Sequence, residues 1–126
     1  MIYHGKGPGD SLVDLPETVT KTLDALRPVR QRFDSIAVTG MSGVIVGAPV
    51  ALRMNKPLVV LRKPYERGHS RTHIGLDQVG KRVLFLDDFV AGGDTRARVR
   101  EQIAKHAKAD LVGTYLYRDN ELSFDD

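Results

Sequence analysis

Four short apolar segments alternate with longer segments along most of the chain. The apolar segments are residues 36–38, 58–61, 83–86 and 111–117. The first three are continuous runs, a pattern typical of strands buried on both faces. Residues 42–55 are long enough for a helix, and residues 94–108 carry Val99, Ile103 and Ala107 at helical spacing. This alternation predicts an α/β fold with a parallel sheet and helices on its faces.

The remaining segments predict a helix before the first strand and a long loop after the second. Residues 1–11 are rich in glycine and indicate a loop or arm. Pro16 suits the first turn of a helix that ends before Pro28 or continues, kinked, to Phe33. Residues 62–81 form a connection of about 20 residues without strong periodicity, a length typical of lids and binding loops.

The length of 126 residues predicts one domain, with an N-terminal arm and helix (1–34), a core (35–117) and a C-terminal tail (118–126). The hydrophobic content of 41% argues against disorder, and the lack of cysteine excludes disulfides, thiolate metal sites and a cysteine nucleophile. Neither a signal peptide nor an uninterrupted spanning segment is evident, so we expect a cytoplasmic protein that does not enter the membrane.

The net charge of +3 and the pI of about 9.3 suggest an anionic partner. There is no tryptophan and only 6% of the residues are aromatic, which argues against a stacking platform for single-stranded nucleic acid. A basic stripe on residues 94–108 that binds nucleic acid is therefore not the first hypothesis.

The segment with the clearest chemical signal is residues 83–95. An apolar run ends in Asp87 and Asp88, and a turn of small residues then leads into the predicted helix. Ligands of open α/β sheets bind at the carboxyl ends of strands, and a turn at a helix N-terminus binds phosphate through backbone N–H groups. Two carboxylates beside such a turn can accept hydrogen bonds from sugar hydroxyls or hold a hydrated Mg²⁺. The alternative is that Asp94 or Thr95 only caps the helix and the acid pair is a solvated strand end.

Residues 83–95 resemble the diphosphoribosyl-binding signature of the type I phosphoribosyltransferases. The similarity extends to residues 38–43, Val-Thr-Gly-Met-Ser-Gly, at the place of the family's pyrophosphate-binding loop. Residues 56–64 resemble the second strand of the adenine- and orotate-type members, which leads into their mobile catalytic loop. In all, the resemblance covers residues 35–117 in the family's order.

The resemblance implies a Rossmann-like phosphoribosyltransferase fold with a mobile loop and a minimal hood over the base. It implies Mg²⁺-dependent transfer of ribose 5-phosphate from phosphoribosyl diphosphate to a purine or pyrimidine base, with release of pyrophosphate, by a protein that is commonly a homodimer. Asp87 and Asp88 would hold the ribose hydroxyls and the metal. Positive charge for the diphosphate would come from three residues of the loop, Arg62, Lys63 and Arg67.

The implied binding residues lie in two loops. Those of the diphosphate loop are Thr39, Gly40, Met41, Ser42 and Gly43, and those of the 5′-phosphate turn are Ala91, Gly92, Gly93, Asp94 and Thr95. The basic residues expected around the ligand are Arg62, Lys63, Arg67, Arg71, Lys81, Arg82 and Arg96.

Several positions depart from the family's pattern. Gly92 stands where the family most often has threonine, and Asp94 where it most often has glycine. Asp94 either faces the phosphate and repels it or turns back to cap the helix. The aromatic residues Tyr115, Tyr117 and Phe124 either stack on a base or belong to the core. These departures motivate an alternative function, a non-catalytic relative that senses phosphoribosyl diphosphate or a nucleotide and regulates another macromolecule.

Overall fold

The computed structural model describes residues 2–3, 13–61, 79–88 and 94–125. The predicted catalytic loop and most of the 5′-phosphate turn lie outside these residues. The described strands are β1 (Ile2–Tyr3), β2 (Val13–Asp14), β3 (Ser35–Thr39), β4 (Leu58–Leu61), β5 (Arg82–Asp87), β6 (Asp110–Leu116) and β7 (Glu121–Phe124). The helices are α1 (Leu15–Leu26), α2 (Gly40–Met54) and α3 (Asp94–Ala107), with a 3₁₀ helix at Arg27–Arg32.

Five of these strands form one sheet in the order β4-β3-β5-β6-β7. The first four strands are mutually parallel, which confirms the predicted α/β fold. β7 joins the edge antiparallel to β6, whereas the sequence predicts a C-terminal tail over these residues. Its burial alternates, and Leu122 and Phe124 pack against the core. β1 and β2 pair separately in a two-stranded antiparallel sheet.

The first helix starts and ends as the sequence predicts. Asp14 precedes it, and its Oδ1 accepts a hydrogen bond from the backbone N–H of Glu17 at 3.1 Å. Pro16 lies in the first turn, where a missing N–H costs nothing. The α-helix ends at Leu26, and the chain continues as a 3₁₀ helix through Pro28 to a kink at Val29. No helix of the described residues is long and apolar enough to cross a membrane.

The sheet separates two apolar clusters. One contains residues of α1 and α2 with Leu84, Leu86 and Tyr115 from the sheet. The other packs α3, through Val99 and Ile103, on the opposite face. Successive residues of a strand point to opposite faces, so the continuous apolar run of β5 supplies both clusters.

Two glycines allow α2 to lie close to β3. A Cβ at Gly47 would be 2.6 Å from Cγ1 of Val38, and a Cβ at Gly43 would be 3.0 Å from Cβ of the same valine. The glycines are four residues apart and therefore lie on the same face of the helix. Their missing side chains bring the start of α2 close to the end of β3.

The amino ends of the strands are held by Asp34 and Arg82. The Asp34 carboxylate accepts hydrogen bonds from the backbone N–H groups of Lys81 and Arg82 at 3.0 and 2.9 Å. It also accepts one from the Arg82 guanidinium at 2.9 Å. The hydrogen bond from the Arg82 side chain is the main cause that holds the pKa of Asp34 at about 2, below the usual 3.8. Gly80 has a φ of +77°, and a side chain there would meet Asp34. This cluster fixes where β5 begins.

Candidate active site

The carboxyl ends of the parallel strands meet at one edge of the sheet. Ala37 of β3 pairs with Phe85 of β5, so Thr39 and Asp87, two residues further along each strand, lie at the same level. Neighbouring strands are roughly 4.8 Å apart. The chain leaves β3 toward β4 on one side and leaves β5 toward β6 on the other, so the strand order reverses between β3 and β5. Ligands of open α/β sheets bind at this kind of position.

The acid pair is held firmly at this edge. Asp87 is 8% exposed, and its Oδ1 accepts the backbone N–H of Asp88 at 2.9 Å. Hydrogen bonding between the β5 and β6 segments of the chain continues beyond the end of β6. The N–H of Tyr117 donates to the carbonyl of Asp87 at 2.9 Å, and the N–H of Arg118 donates to the carbonyl of Asp88 at 3.2 Å. The backbone of both aspartates is therefore hydrogen-bonded to the residues that follow β6.

The predicted diphosphate loop is the first turn of α2. Thr39 is extended and its side chain makes no capping hydrogen bond, which leaves the backbone N–H groups of the first turn available to a ligand. Gly40 has a φ of +72°, a conformation that favours glycine. Met41 and Ser42 are exposed, whereas Gly43 is buried against Val38. Gly43 thus serves the close packing of α2, whereas Met41 and Ser42 of the predicted loop remain accessible.

Tyr117 links the two halves of the site, a role that the sequence did not suggest. Burial is the main cause that raises the pKa of its hydroxyl, and the negative charges of Asp88 and Asp87 add to the rise. A hydrogen bond with the Ser42 side chain and the charge of Arg118 act in the opposite direction. The hydroxyl therefore lies at the start of α2 and near enough to the acid pair for its charge to act on it. The only signal in the sequence is the position of Tyr117 just after a strand that neighbours β5.

The beginning of α3 lies partly within the described residues. Asp94 and Thr95 open the helix, as predicted, and the backbone of Asp94 is helical. Ala91, Gly92 and Gly93 lie outside the described residues, as do Arg62, Lys63, Arg67 and Arg71. Their roles therefore remain predictions.

Three basic residues that were expected around the ligand are engaged elsewhere or lie at the wrong edge. Lys81 and Arg82 come at the start of β5, and Arg82 binds Asp34 at the edge of the sheet opposite to Asp87. Arg96 donates to the Thr114 hydroxyl at 2.9 Å and also binds Asp125. The expectation that Lys81 and Arg82 surround a diphosphate is wrong, because both lie at the edge of the sheet opposite to Asp87. Arg96 lies in the first turn of α3 but is engaged by Asp125.

The two alternatives for the aromatic residues are resolved for Tyr115 and Phe124. Tyr115 is fully buried and its hydroxyl donates to the Asn120 side chain. Phe124 packs against the core, and its ring lies 3.8 Å from the guanidinium carbon of Arg32. Both residues belong to the core rather than to a base pocket.

The donor set at the site suits Mg²⁺. Asp87 and Asp88 offer carboxylate oxygens, the ligands that magnesium prefers. Nowhere in residues 13–61, 79–88 and 94–125 do three or more histidine, cysteine or acidic side chains form a metal-binding group. A magnesium ion with one or two protein carboxylates, several waters and substrate phosphates fits this arrangement.

Comparison with known proteins identifies the family. No family model matches the chain. The adenine phosphoribosyltransferase of Ureaplasma parvum is 29% identical over 82% of this chain and 69% of its own length. The orotate phosphoribosyltransferase of Pyrococcus horikoshii is 31% identical over 71% of this chain and 48% of its own length. The chain belongs to the type I phosphoribosyltransferase family. It spans roughly half to two-thirds of the length of these relatives.

Solved structures of the family share the fold. The adenine phosphoribosyltransferase of Thermoanaerobacter pseudethanolicus has a TM-score of 0.61 at 23% identity, covering 80% of this chain and 66% of its own. The orotate phosphoribosyltransferase of Francisella tularensis has a TM-score of 0.64 at 19% identity, covering 80% of this chain and 50% of its own. The predicted phosphoribosyltransferase fold is therefore confirmed.

Proposed function

We propose that the protein transfers the 5-phosphoribosyl group of phosphoribosyl diphosphate to a purine or pyrimidine base and releases pyrophosphate. The observation that carries this proposal is the position of Asp87 and Asp88 beside the uncapped first turn of α2, where the strand order reverses. The relatives are named for adenine and orotate, which supports a nitrogenous base as acceptor. Their names also favour the transferase over a non-catalytic sensor.

In this reaction the bond from C1′ of the ribose to the diphosphate oxygen breaks, and a bond from C1′ to a base nitrogen forms. Positive charge develops on the ribose, so negative charge nearby and hydrogen-bond donors on the departing diphosphate both lower the barrier. Asp87 and Asp88 accept hydrogen bonds from the ribose hydroxyls and stabilise the developing cation. The N–H groups of residues 40–42 donate to the diphosphate.

A magnesium ion, when bound, would be held by Asp87 and Asp88 and would supply positive charge to the diphosphate. Arg62, Lys63 and Arg67 are proposed to add charge from the loop after β4, and residues 91–95 to bind the 5′-phosphate. We further propose that the working form is a homodimer.

The proposal is tested by measuring pyrophosphate release from phosphoribosyl diphosphate and Mg²⁺ with adenine, with orotate and with other bases in turn. Release with one base is expected. The double variant Asp87→Asn/Asp88→Asn should lose this activity and the rise in melting temperature that phosphoribosyl diphosphate produces. Asp24→Asn, on the exposed face of α1, removes a carboxylate elsewhere and should behave as the wild type. Failure of every base with concentrated protein, or unchanged ligand stabilisation of the double variant, would contradict the proposal.

A further inference from the structure

The first turn of α3 has little apolar contact with the sheet. Among the described residues of this helix, Val99 and Ile103 lie in the apolar core and Ala107 packs against it, and all three come after the first turn. In the first turn Thr95 is half-buried and Ala97 is exposed. Segments with few buried apolar contacts open more easily than the rest of a structure. The first turn therefore depends on other contacts to keep its place on the sheet.

Arg96 supplies such contacts through its side chain. Its Nε donates to the buried hydroxyl of Thr114 in β6 at 2.9 Å, and one of its terminal nitrogens binds Asp125. Asp125 directly follows β7, and its backbone N–H donates to the carbonyl of Val112 at 2.8 Å. Both partners of Arg96 are therefore fixed to the sheet. A guanidinium can bind both at once because it is planar and presents its N–H groups in fixed directions.

Asp125 binds α3 at two successive turns. Its second carboxylate oxygen accepts a hydrogen bond from Arg100 at 2.6 Å, and Arg96 and Arg100, four residues apart, lie on the same face of the helix. Burial alone would raise the pKa of Asp125, but the hydrogen bonds from Arg100 and Arg96 outweigh it and lower the pKa. The carboxyl group is therefore ionised at neutral pH. The side chains of Arg96 and Asp125 are only 29% and 31% exposed.

We propose that Arg96 and Asp125 are positioning residues for the turn that binds the 5′-phosphate. This inference rests on the proposed function, in which residues 91–95 bind that phosphate, and Arg96 is the next residue of the chain. Backbone N–H groups at a helix N-terminus hold a phosphate only when they point at it, because hydrogen bonds weaken steeply out of line. The guanidinium of Arg96 is committed to Thr114 and Asp125. It therefore acts on the phosphate through the position of the first turn.

Hydrogen exchange tests the holding of the first turn without any ligand. In an α-helix the N–H groups of residues 98–100 donate to the carbonyls of residues 94–96, so their exchange reports opening of the first turn. In Asp125→Asn they should exchange roughly fivefold faster than in the wild type, which corresponds to about 1 kcal/mol. Residues 103–105 should keep the wild-type rate. Asp110→Asn removes an exposed carboxylate at the start of β6 and should exchange as the wild type does. Equal exchange in Asp125→Asn and the wild type would overturn the proposal.

Two ligands that use different parts of the site distinguish positioning from a general loss of stability. Ribose 5-phosphate would bind at the 5′-phosphate turn, whereas pyrophosphate would bind at the first turn of α2. In calorimetry with Mg²⁺, at a temperature at which circular dichroism shows every variant folded, Asp125→Asn should bind ribose 5-phosphate roughly fivefold more weakly. It should bind pyrophosphate as tightly as the wild type does. Arg96→Lys keeps the charge but cannot bind Thr114 and Asp125 together, so it should resemble Arg96→Gln. The double variant Arg96→Gln/Asp125→Asn should be little weaker than Arg96→Gln, because the two residues share one contact.

The outcomes separate this inference from the proposed function. Equal weakening of both ligands in Asp125→Asn would indicate a general disturbance and overturn the positioning role. Wild-type affinity of Arg96→Lys for ribose 5-phosphate would also overturn it, since charge alone would then suffice. If the wild type binds neither ligand and releases no pyrophosphate with any base, the proposed function fails and the positioning role fails with it. Hydrogen exchange would still show whether Asp125 holds the first turn of α3.

Discussion

Replacing Asp34 by asparagine should destabilise the protein by an amount that depends on pH. In the structure one carboxylate accepts two backbone N–H groups and the Arg82 guanidinium, which together fix the start of β5. Asparagine keeps the size of the side chain and removes the charge. Its NH₂ group would face the N–H donors of Lys81 and Arg82. The substitution therefore tests the ion pair without opening a cavity.

The magnitude follows from the pKa of Asp34, which is about 2 in the folded protein against a usual 3.8. A difference of about 1.8 units corresponds to about 2.4 kcal/mol. The Asp34 side chain is 34% exposed, so screening by solvent reduces the expected contribution to about 1 kcal/mol. The folded-state pKa is the lower one, so this stabilisation is present in full above the unfolded pKa. It disappears as the pH falls through about 2.

Urea unfolding of the wild type and of Asp34→Asn between pH 7 and pH 2 measures this contribution. The difference in unfolding free energy should be about 1 kcal/mol at pH 7 and should shrink toward zero at the acid end. Asp24→Asn, on the exposed face of α1, serves as the control and should show no comparable difference. A difference that is the same at both ends of the pH range would refute the electrostatic explanation.

Two further substitutions test the packing and the site. Gly47→Val should lower the unfolding free energy by about 2–3 kcal/mol, because its Cβ would lie 2.6 Å from Cγ1 of Val38. Urea unfolding should show partial recovery when Val38→Ala is added, and no recovery would argue against the clash. Tyr117→Phe should cost no more than about 1 kcal/mol of stability. It should nevertheless weaken the binding of phosphoribosyl diphosphate in calorimetry, since the hydroxyl no longer positions Ser42; unchanged affinity would remove Tyr117 from the site.

The sequence predicts the elements well where burial dictates the pattern. β3 and β5 lie in the interior of the sheet, so their residues must be apolar on both faces, and their runs are unambiguous. β7 has only four residues, so the alternation of Glu121 and Ser123 with Leu122 and Phe124 is too short to predict a strand. A short edge strand of this kind is recognised only when the neighbouring strand is in place.

The sequence predicts those residues of the candidate site that directly follow a recognisable strand. Asp87 and Asp88 follow a buried strand, and residues 39–42 follow another, so their meeting at one edge follows from a parallel sheet. The contact of Tyr117 with Ser42 depends on the strand order, which local patterns do not contain. The prediction that Arg82 lies at the ligand is wrong because Arg82 is the first residue of β5, and the start of a parallel strand lies at the edge of the sheet opposite to Asp87.

The strand order also divides the sheet into two parts that are each continuous along the chain. β3, α2 and β4 come from residues 35–61, and β5, α3, β6 and β7 come from residues 82–124. The hydrogen bonds between β3 and β5 join the two parts, and the diphosphate loop and the acid pair lie on either side of that junction. Two polypeptides divided between β4 and β5 would each retain their own strand pairs. Recovery of ligand binding on mixing them would then report on fragment reassembly, because neither fragment carries both halves of the site.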